Sequence, residues 1–315
     1  MLRLPGRDEF QRDGAAMALA AIDVLRCHDV SVAYHKAIVT NGKTWQGPAS
    51  KGGRVSDEPI ILERDGAVAR LVLNRPDKKN AITEAMWAAV PGLVEAAEAD
   101  AAVKVVVLAS AAPGVFSAGA DIAEFTEIAA DPERRRSNQR AVRAAQDRLM
   151  RCEKPTLAEI DGACVGGGCG LALACDIRLA SGRSRFGITP VKLGLVYSLE
   201  DAKRLVDLVG PAHAKSILFT GRLLDAAEAG RIGLVNDVMS VDDLGPAVAK
   251  LAGEIAAASQ FGVRGIKHIL GLVRDGHAAD TPETLQMFLD AYDGEDLAEG
   301  VAAFLEKRKP RFTYS

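Results

Sequence analysis

Residues 155–181 read PTLAEIDGACVGGGCGLALACDIRLAS, and no other stretch limits the folding options of the chain so closely. The apolar run PTLAEIDG predicts a strand, the three glycines open a helix through Ala174, and DIRLAS predicts the next strand. Strand, glycine-rich turn, helix, strand is the repeating unit of a wound α/β fold, and it gathers the strand-to-helix turns on one side. Upstream, IILERDGAVARLVLN carries two alternating apolar runs about Asp65 and Gly66, which predicts a hairpin. Thr83 caps a helix to about Asp100, VKVVVLAS predicts a buried strand followed by a glycine-containing loop, and helices follow near 120–130 and 133–151. Beyond Leu199 the chain turns mostly helical: 199–208, 212–219, 226–230, a short strand in LVNDVM, then helices from Val241, Gln260, Pro282 and Glu295.

With 315 residues, 48% of them hydrophobic, the chain can bury a full core. Residues 1–57 mix charge and glycine without sustained period and read as an N-terminal extension, with Met17 a second candidate start. Asp8, Glu9, Asp13 and Asp23 argue against a mitochondrial presequence. A net charge of -3 and a pI near 6.0 exclude a global electrostatic drive toward nucleic acid or anionic membrane. The absence of a spanning apolar run or signal peptide leads to the expectation of a cytoplasmic protein. Cys27, Cys152, Cys164, Cys169 and Cys175 form no CxxC pair and read as reduced core thiols. The five histidines show no metal spacing, so no metal is expected.

The glycine run fails two familiar tests. A P-loop needs Lys and Ser/Thr where Gly168 and Cys169 stand, and the dinucleotide fingerprint needs glycine where Leu171 stands. Nor is GVFSAG a nucleophile elbow, since Ser117 lacks the glycine two residues before it. The physical reading that survives is a helix start with unsatisfied N–H groups, a positive dipole end and no side chains in the way. It suits an oxygen that becomes negative. GVFSAGADI, residues 114–122, also follows an apolar strand and enters a helix, so two loops can supply two N–H donors to one oxyanion hole.

From about 58 to 313 the chain resembles the crotonase superfamily of enoyl-CoA hydratases and isomerases. The resemblance rests on LNRPDKKNAIT, FSAGADI, DGACVGGGCGLALACDIRLA, TGRLLDAAEAGRIGLVNDV and EGVAAFLEKRKPRF, in that order. It implies an α/β fold, a spiral of ββα units over 58–255 with a C-terminal helical trimerisation region over 256–315. It also implies a homotrimer or dimer of trimers, acyl-CoA thioesters as substrates, and no separate cofactor, because coenzyme A arrives as part of the substrate. The implied oxyanion donors are the N–H groups of Ala120 and Gly167. Ala120, Asp121, Ile122 and Ala123 would line the adenine and pantetheine path, and Lys307 matches a lysine that approaches a CoA phosphate in relatives.

The chain departs from the hydratases of that family where they carry two glutamates. Gly170 stands at the first position, after the glycine run, and Pro190 at the second. TPVKLGLVYS is similar to the TPVxLGxxY segment of methylmalonyl-CoA decarboxylase, also a crotonase relative, and Thr189 and Tyr197 match polar site residues there. That decarboxylase has histidine where Ala120 stands, so the match is incomplete. Ser198 occupies a place where some relatives carry aspartate. Loss of carbon dioxide leaves its electrons behind and needs no base, so decarboxylation of a malonyl-type acyl-CoA is the preferred expectation. The alternatives are a hydratase or isomerase using Glu200, Asp201, Glu124 or water as substitute acid/base, and a noncatalytic CoA-binding protein. The basic helix with Arg134, Arg135, Arg136, Arg140 and Arg143 lacks aromatics for base stacking, which argues against nucleic acid.

Overall fold

The computed structural model describes residues 58–314; the N-terminal extension and Cys27 lie outside the described residues. β1 (Ile60–Asp65) and β2 (Val68–Leu73) pair antiparallel with Asp65 opposite Val68, so the hairpin falls on Asp65 and Gly66 as the sequence predicts. From there the main sheet is parallel. β3 (Val105–Ser110), β5 (Thr156–Ile160), β7 (Ile177–Ser181) and β10 (Asp237–Met239) complete the strand order β1-β2-β3-β5-β7-β10.

Helices cover both faces of this sheet, which is why β3 reads as an unbroken apolar run rather than an alternating one. Val105, Val107 and Ala109 pack with Leu157 and Leu179 against Leu244, Val248 and Ala252 of α7 (Val241–Ala257). Val106 and Leu108 face the larger core. There they join Met86, Trp87, Val90 and Val94 of α1 (Glu84–Ala99), Ala145 and Leu149 of α3 (Pro132–Met150), and Leu171 of α4 (Gly167–Leu173). Thr83 caps α1 by accepting from the Met86 N–H at 3.2 Å, and Asp131 caps α3.

The glycine-containing loop expected after β3 holds a further strand. β4 (Val115–Ser117), β6 (Ala163–Val165), β8 (Arg185–Gly187) and β9 (Leu223–Asp225) form a second sheet in the order β4-β6-β8-β9. Its first three strands are parallel. Each strand is three residues long, too short to show a period in the sequence. Successive units of the wind therefore each contribute one strand to either sheet, which is the ββα spiral. The turns into the second sheet touch directly, for a Cβ on Gly162 would fall 1.7 Å from the Gly114 carbonyl oxygen. Asp161 accepts from the Gly114 N–H at 2.9 Å and pairs with Arg183.

α2 (Ile122–Ala130) leads into α3, and α6 (Ala226–Arg231) follows β9. α5 (Leu199–Thr220) breaks at Gly210, φ 73°, immediately before Pro211. α8 (Gln260–Arg274), α9 (Pro282–Asp293) and α10 (Glu295–Leu305) start where expected and leave Phe288, Tyr292, Phe304 and Leu305 exposed. Residues 58–191 and 196–314 belong to one unit, which contains every strand named above. The four described cysteines are buried and free.

Candidate active site

Three loops build the site, and a buried asparagine ties two of them together. Asn80, fully buried, sits in LNRPDKKNAIT with φ 50°. Its Nδ2 donates to Ser110 Oγ at 2.7 Å and to the Phe116 carbonyl at 3.0 Å, and its Oδ1 accepts from the Arg75 N–H at 2.8 Å. Ser117 Oγ donates to the Asn80 carbonyl at 2.8 Å and accepts from the Gly119 N–H at 3.1 Å. The FSAGADI loop is thereby fixed from both sides before α2 begins.

Ala120 pairs with Ile82 in a parallel bridge that uses the neighbouring groups, Ile82 N–H to Gly119 O at 2.7 Å and Asp121 N–H to Ile82 O at 3.0 Å. The N–H of Ala120 itself is left facing away from that partner. Gly167 is the first residue of α4, where a helical N–H has no acceptor one turn earlier. The two loops meet here: a Cβ on Gly119 would lie 3.5 Å from the Gly167 nitrogen and 2.9 Å from the Val165 carbonyl oxygen, and one on Gly166 would lie 3.6 Å from the Gly119 Cα. Gly119 and Gly166 also take φ of 96° and 53°, where a side chain would be strained. Gly167 backs onto Trp87 and Gly168 onto Ser117, with added Cβ atoms 2.7 Å and 2.5 Å from those side chains. The glycine run is what lets two backbones and a tryptophan close on one point.

Asp121 caps α2, accepting from the Ala123 N–H at 3.1 Å, and pairs with Arg75 at 3.0 Å. Burial pushes its carboxyl upward, but the Arg75 hydrogen bond and the Ala123 and Glu124 N–H groups outweigh this and leave it below the ordinary value. Ile122 and Ala123 are exposed on the first turn of α2. Glu124 accepts from the Glu84 N–H at 2.8 Å and so completes the start of α1.

Gly170 lies one turn along α4 from Gly167, and its surroundings were not legible in the motif. A Cβ there would fall 2.5 Å from Gln146 Nε2. Gln146, on α3, is buried and accepts from Arg204 Nη1 at 2.9 Å through Oε1. Arg204, on α5 and also buried, donates to Asp201 at 2.9 Å and to Asp147 at 2.6 Å. Glu200 pairs with Arg143 and lies 3.9 Å from Arg204. Ser198 caps α5: its Oγ accepts from the Asp201 N–H at 3.1 Å and donates to Asp201 Oδ2 at 2.6 Å. Tyr197 packs on the core with its hydroxyl buried and unpartnered among the described residues, and burial, reinforced by Asp201, holds its phenol well above the ordinary range.

The residue before Ala120 thus lies against the Gly167 nitrogen, while Asp121 turns to Arg75 and the start of α2. Glu200 and Ser198 lie with Asp201 on the first turn of α5, tied to α3 by arginines. Thr189 is half-buried just past β8, and Pro190 opens a short 3-10 turn, Pro190–Leu193. Lys307 follows α10 with φ 54° and is exposed. On the basic helix, Arg134 pairs with Glu84 and Glu127, and Arg136 with Glu133. Sequence reasoning missed Gln146, Arg204 and Asn80. Gln146 did leave a signal, because it interrupts the apolar stripe Val142, Ala145, Leu149 at helical spacing. A separate cavity of about 940 Å³ lies among the C-terminal helices, lined by Phe261, Asp290, Glu295, Phe304 and Tyr314 among others.

Fold and loops define the class: a ββα spiral with a helical C-terminal region, in which two glycine loops meet at the start of a buried helix. The sequence matches the model of the family described as enoyl-CoA hydratase/isomerase over residues 63–315. It is 36% identical over 260 residues to the crotonyl-CoA hydratase of Syntrophomonas wolfei, covering 81% of this chain and 98% of that protein. Against the short-chain-enoyl-CoA hydratase of Clostridium acetobutylicum it is 35% identical over 254 residues, 79% and 95% of the two chains. Among solved structures it is similar to an enoyl-CoA hydratase/isomerase family protein from Hyphomonas neptunium, at 43% identity and a TM-score of 0.80 over 82% of this chain and 98% of that one. The chain belongs to the enoyl-CoA hydratase/isomerase family, the crotonase superfamily.

Proposed function

We propose that this protein is an acyl-CoA lyase that holds a thioester oxygen between the N–H groups of Ala120 and Gly167 while an enolate forms, and that its reaction is decarboxylation of a malonyl-type acyl-CoA. The observation that carries this is that, among the described residues, the carboxylates placed around the site are engaged with other groups. Gly170 and Pro190 stand where hydratases of the family carry glutamates, and a neutral amide, Gln146, fills the space beside Gly170. Asp121 pairs with Arg75, Asp201 and Asp147 with Arg204, and Glu200 with Arg143, while Glu124 accepts from the start of α1. Of these, Asp121 is pushed upward by burial but held below its ordinary value by the Arg75 hydrogen bond and two backbone N–H groups, which makes it a weaker proton acceptor.

In the proposed step the bond from the α-carbon to the carboxylate breaks and its electron pair enters the thioester as an enolate, releasing neutral carbon dioxide. The α-carbon then takes a proton from water or a protonated side chain, giving the shorter acyl-CoA. Each N–H donor that meets the developing charge is worth about 100- to 1000-fold in rate. Tyr197, protonated and buried, and the half-buried Thr189 are the polar groups this reading assigns to the acyl pocket, with Ser198 and Glu200 supporting the wall behind them. Asp121, Ile122 and Ala123 would border the CoA chain, and Lys307 would meet a CoA phosphate. Assembly as a homotrimer or dimer of trimers and a cytoplasmic location belong to the same proposal.

The relatives named above as hydratases favour a second reading, hydration or double-bond migration with a substitute acid/base. Incubation with methylmalonyl-CoA and with crotonyl-CoA, followed by mass detection, separates the two. Loss of carbon dioxide from the first without water addition to the second supports the proposal. The converse supports hydration, and CoA binding without turnover of either or of a broader acyl-CoA panel supports a noncatalytic CoA-binding protein.

A further inference from the structure

Gln146 is placed as a recognition group and not only as filler. Arg204 has donors only, so the amide oxygen of Gln146 must face it, and the NH₂ group is turned toward Gly170. Among the described residues no acceptor bonds to that NH₂, while the amide oxygen is held by Arg204, whose Nη1 and Nη2 also reach Asp201 and Asp147. A Cβ at position 170 would fall 2.5 Å from that NH₂, so it is glycine that lets the amide sit against α4. Gly170 is three residues after Gly167 on α4, so both lie on one face of the helix, about 5 Å apart along its axis. That separation suits a thioester carbonyl at Gly167 and a substituent on its α-carbon at Gln146.

We propose that Gln146 determines specificity for the acyl group, its NH₂ donating to an anionic oxygen carried on the α-carbon of an acyl-CoA thioester. The proposal rests on the acyl-CoA reading above and goes beyond it by naming the residue that selects the substrate class. Neutrality is part of the argument. A guanidinium in direct contact would stabilise the carboxylate of the ground state and oppose its conversion to neutral carbon dioxide, whereas an amide orients it with less of that penalty. Arg204 is kept back from the substituent by Asp201 and Asp147, with Arg143 and Glu200 paired behind them.

The test is calorimetric binding of two thioesters that cannot lose carbon dioxide: sulfoacetyl-CoA, with a sulfonate on the α-carbon, and propionyl-CoA, which has none. The wild-type chain is expected to bind sulfoacetyl-CoA about 10- to 100-fold more tightly than propionyl-CoA, the worth of a hydrogen bond to a charged group. Gln146→Glu keeps an acceptor for Arg204 and removes the donor, and should lose that preference. Gln146→Met, neutral and of similar size, should lose it as well, so one folded variant suffices. Equal binding of the two probes by wild type, or a preference unchanged in both variants, would overturn the inference. Failure of wild type to bind either probe would instead overturn the acyl-CoA reading on which it rests.

Discussion

Placing a methyl group at position 170 probes the contact that distinguishes this site. In Gly170→Ala the new Cβ would stand 2.5 Å from Gln146 Nε2, at least 0.5 Å inside any contact a real Cβ makes, so the amide must move. Moving it strains or breaks the 2.9 Å bond from Arg204 Nη1 to Oε1, between two side chains that are both buried. Overpacking costs about 1–3 kcal/mol. The weakened hydrogen bond to a charged donor adds about 1–2 kcal/mol, and alanine returns about 1 kcal/mol of helix propensity over glycine. The expected net loss is about 1–4 kcal/mol, or about 2–16 °C in Tm at the shift per kcal/mol typical of larger domains. Denaturant melts of wild type, Gly170→Ala, Gln146→Ala and the double variant form the cycle. The double variant should be more stable than the sum of the singles implies, by about 1–2 kcal/mol, because the truncated amide no longer meets the methyl. A Gly170→Ala protein as stable as wild type, together with additive singles, would refute the packing argument.

Other parts of the account are open to equally concrete tests. Gly167→Pro removes one N–H donor and should lower kcat by about 100- to 1000-fold on any substrate turned over, while Gly167→Ala, which meets Trp87 but keeps its N–H, should lose stability first and reads out the steric part separately. Burial pushes the Cys152 and Cys175 thiols from the ordinary 9.0 up to about 12. The folded state therefore binds these protons more tightly than the unfolded one. Their contribution should be complete below about pH 9 and lost as pH rises toward 12, and Cys152→Ala should flatten that alkaline slope in thermal melts. At the acid end, Asp161 lies below its ordinary value: burial raises it, but Arg183, the Gly114 N–H and Ser181 together outweigh this. Its contribution is present above the ordinary carboxylate range and lost as pH falls through the depressed value, so Asp161→Asn should be less stable at neutral pH and less sensitive to acid. Light scattering should give the mass of three or six chains of 33.2 kDa, and Phe304→Asp, at an exposed apolar position on α10, should shift it toward the single chain.

The main sheet was legible because buried parallel strands are long apolar runs and their helices carry caps and periodicity: Thr83, the β3 run and the glycine run each name their element. The second sheet was not. Its three-residue strands are fixed by backbone contacts between turns, such as Gly162 against Gly114, which leave only isolated glycines in the sequence. At the site, the close approach of the Gly119 and Gly167 loops could be anticipated because glycine runs mark where backbones meet. Asn80 and Arg204 could not, since their roles come from partners up to 58 residues distant. Gly170 shows both sides of this. The resemblance singles out the position, and only the fold shows that the Gln146 amide packs against it.

The central claim is that the N–H groups of Ala120 and Gly167 converge on a thioester oxygen. Isotope-edited infrared spectroscopy of bound butyryl-CoA, labelled at its thioester carbonyl, reads that contact without any turnover. Two donors withdraw electron density from the carbonyl, so its stretch should move to lower frequency than in free butyryl-CoA, and Gly167→Pro should return it part of the way. A bound carbonyl that absorbs where the free one does would contradict the account.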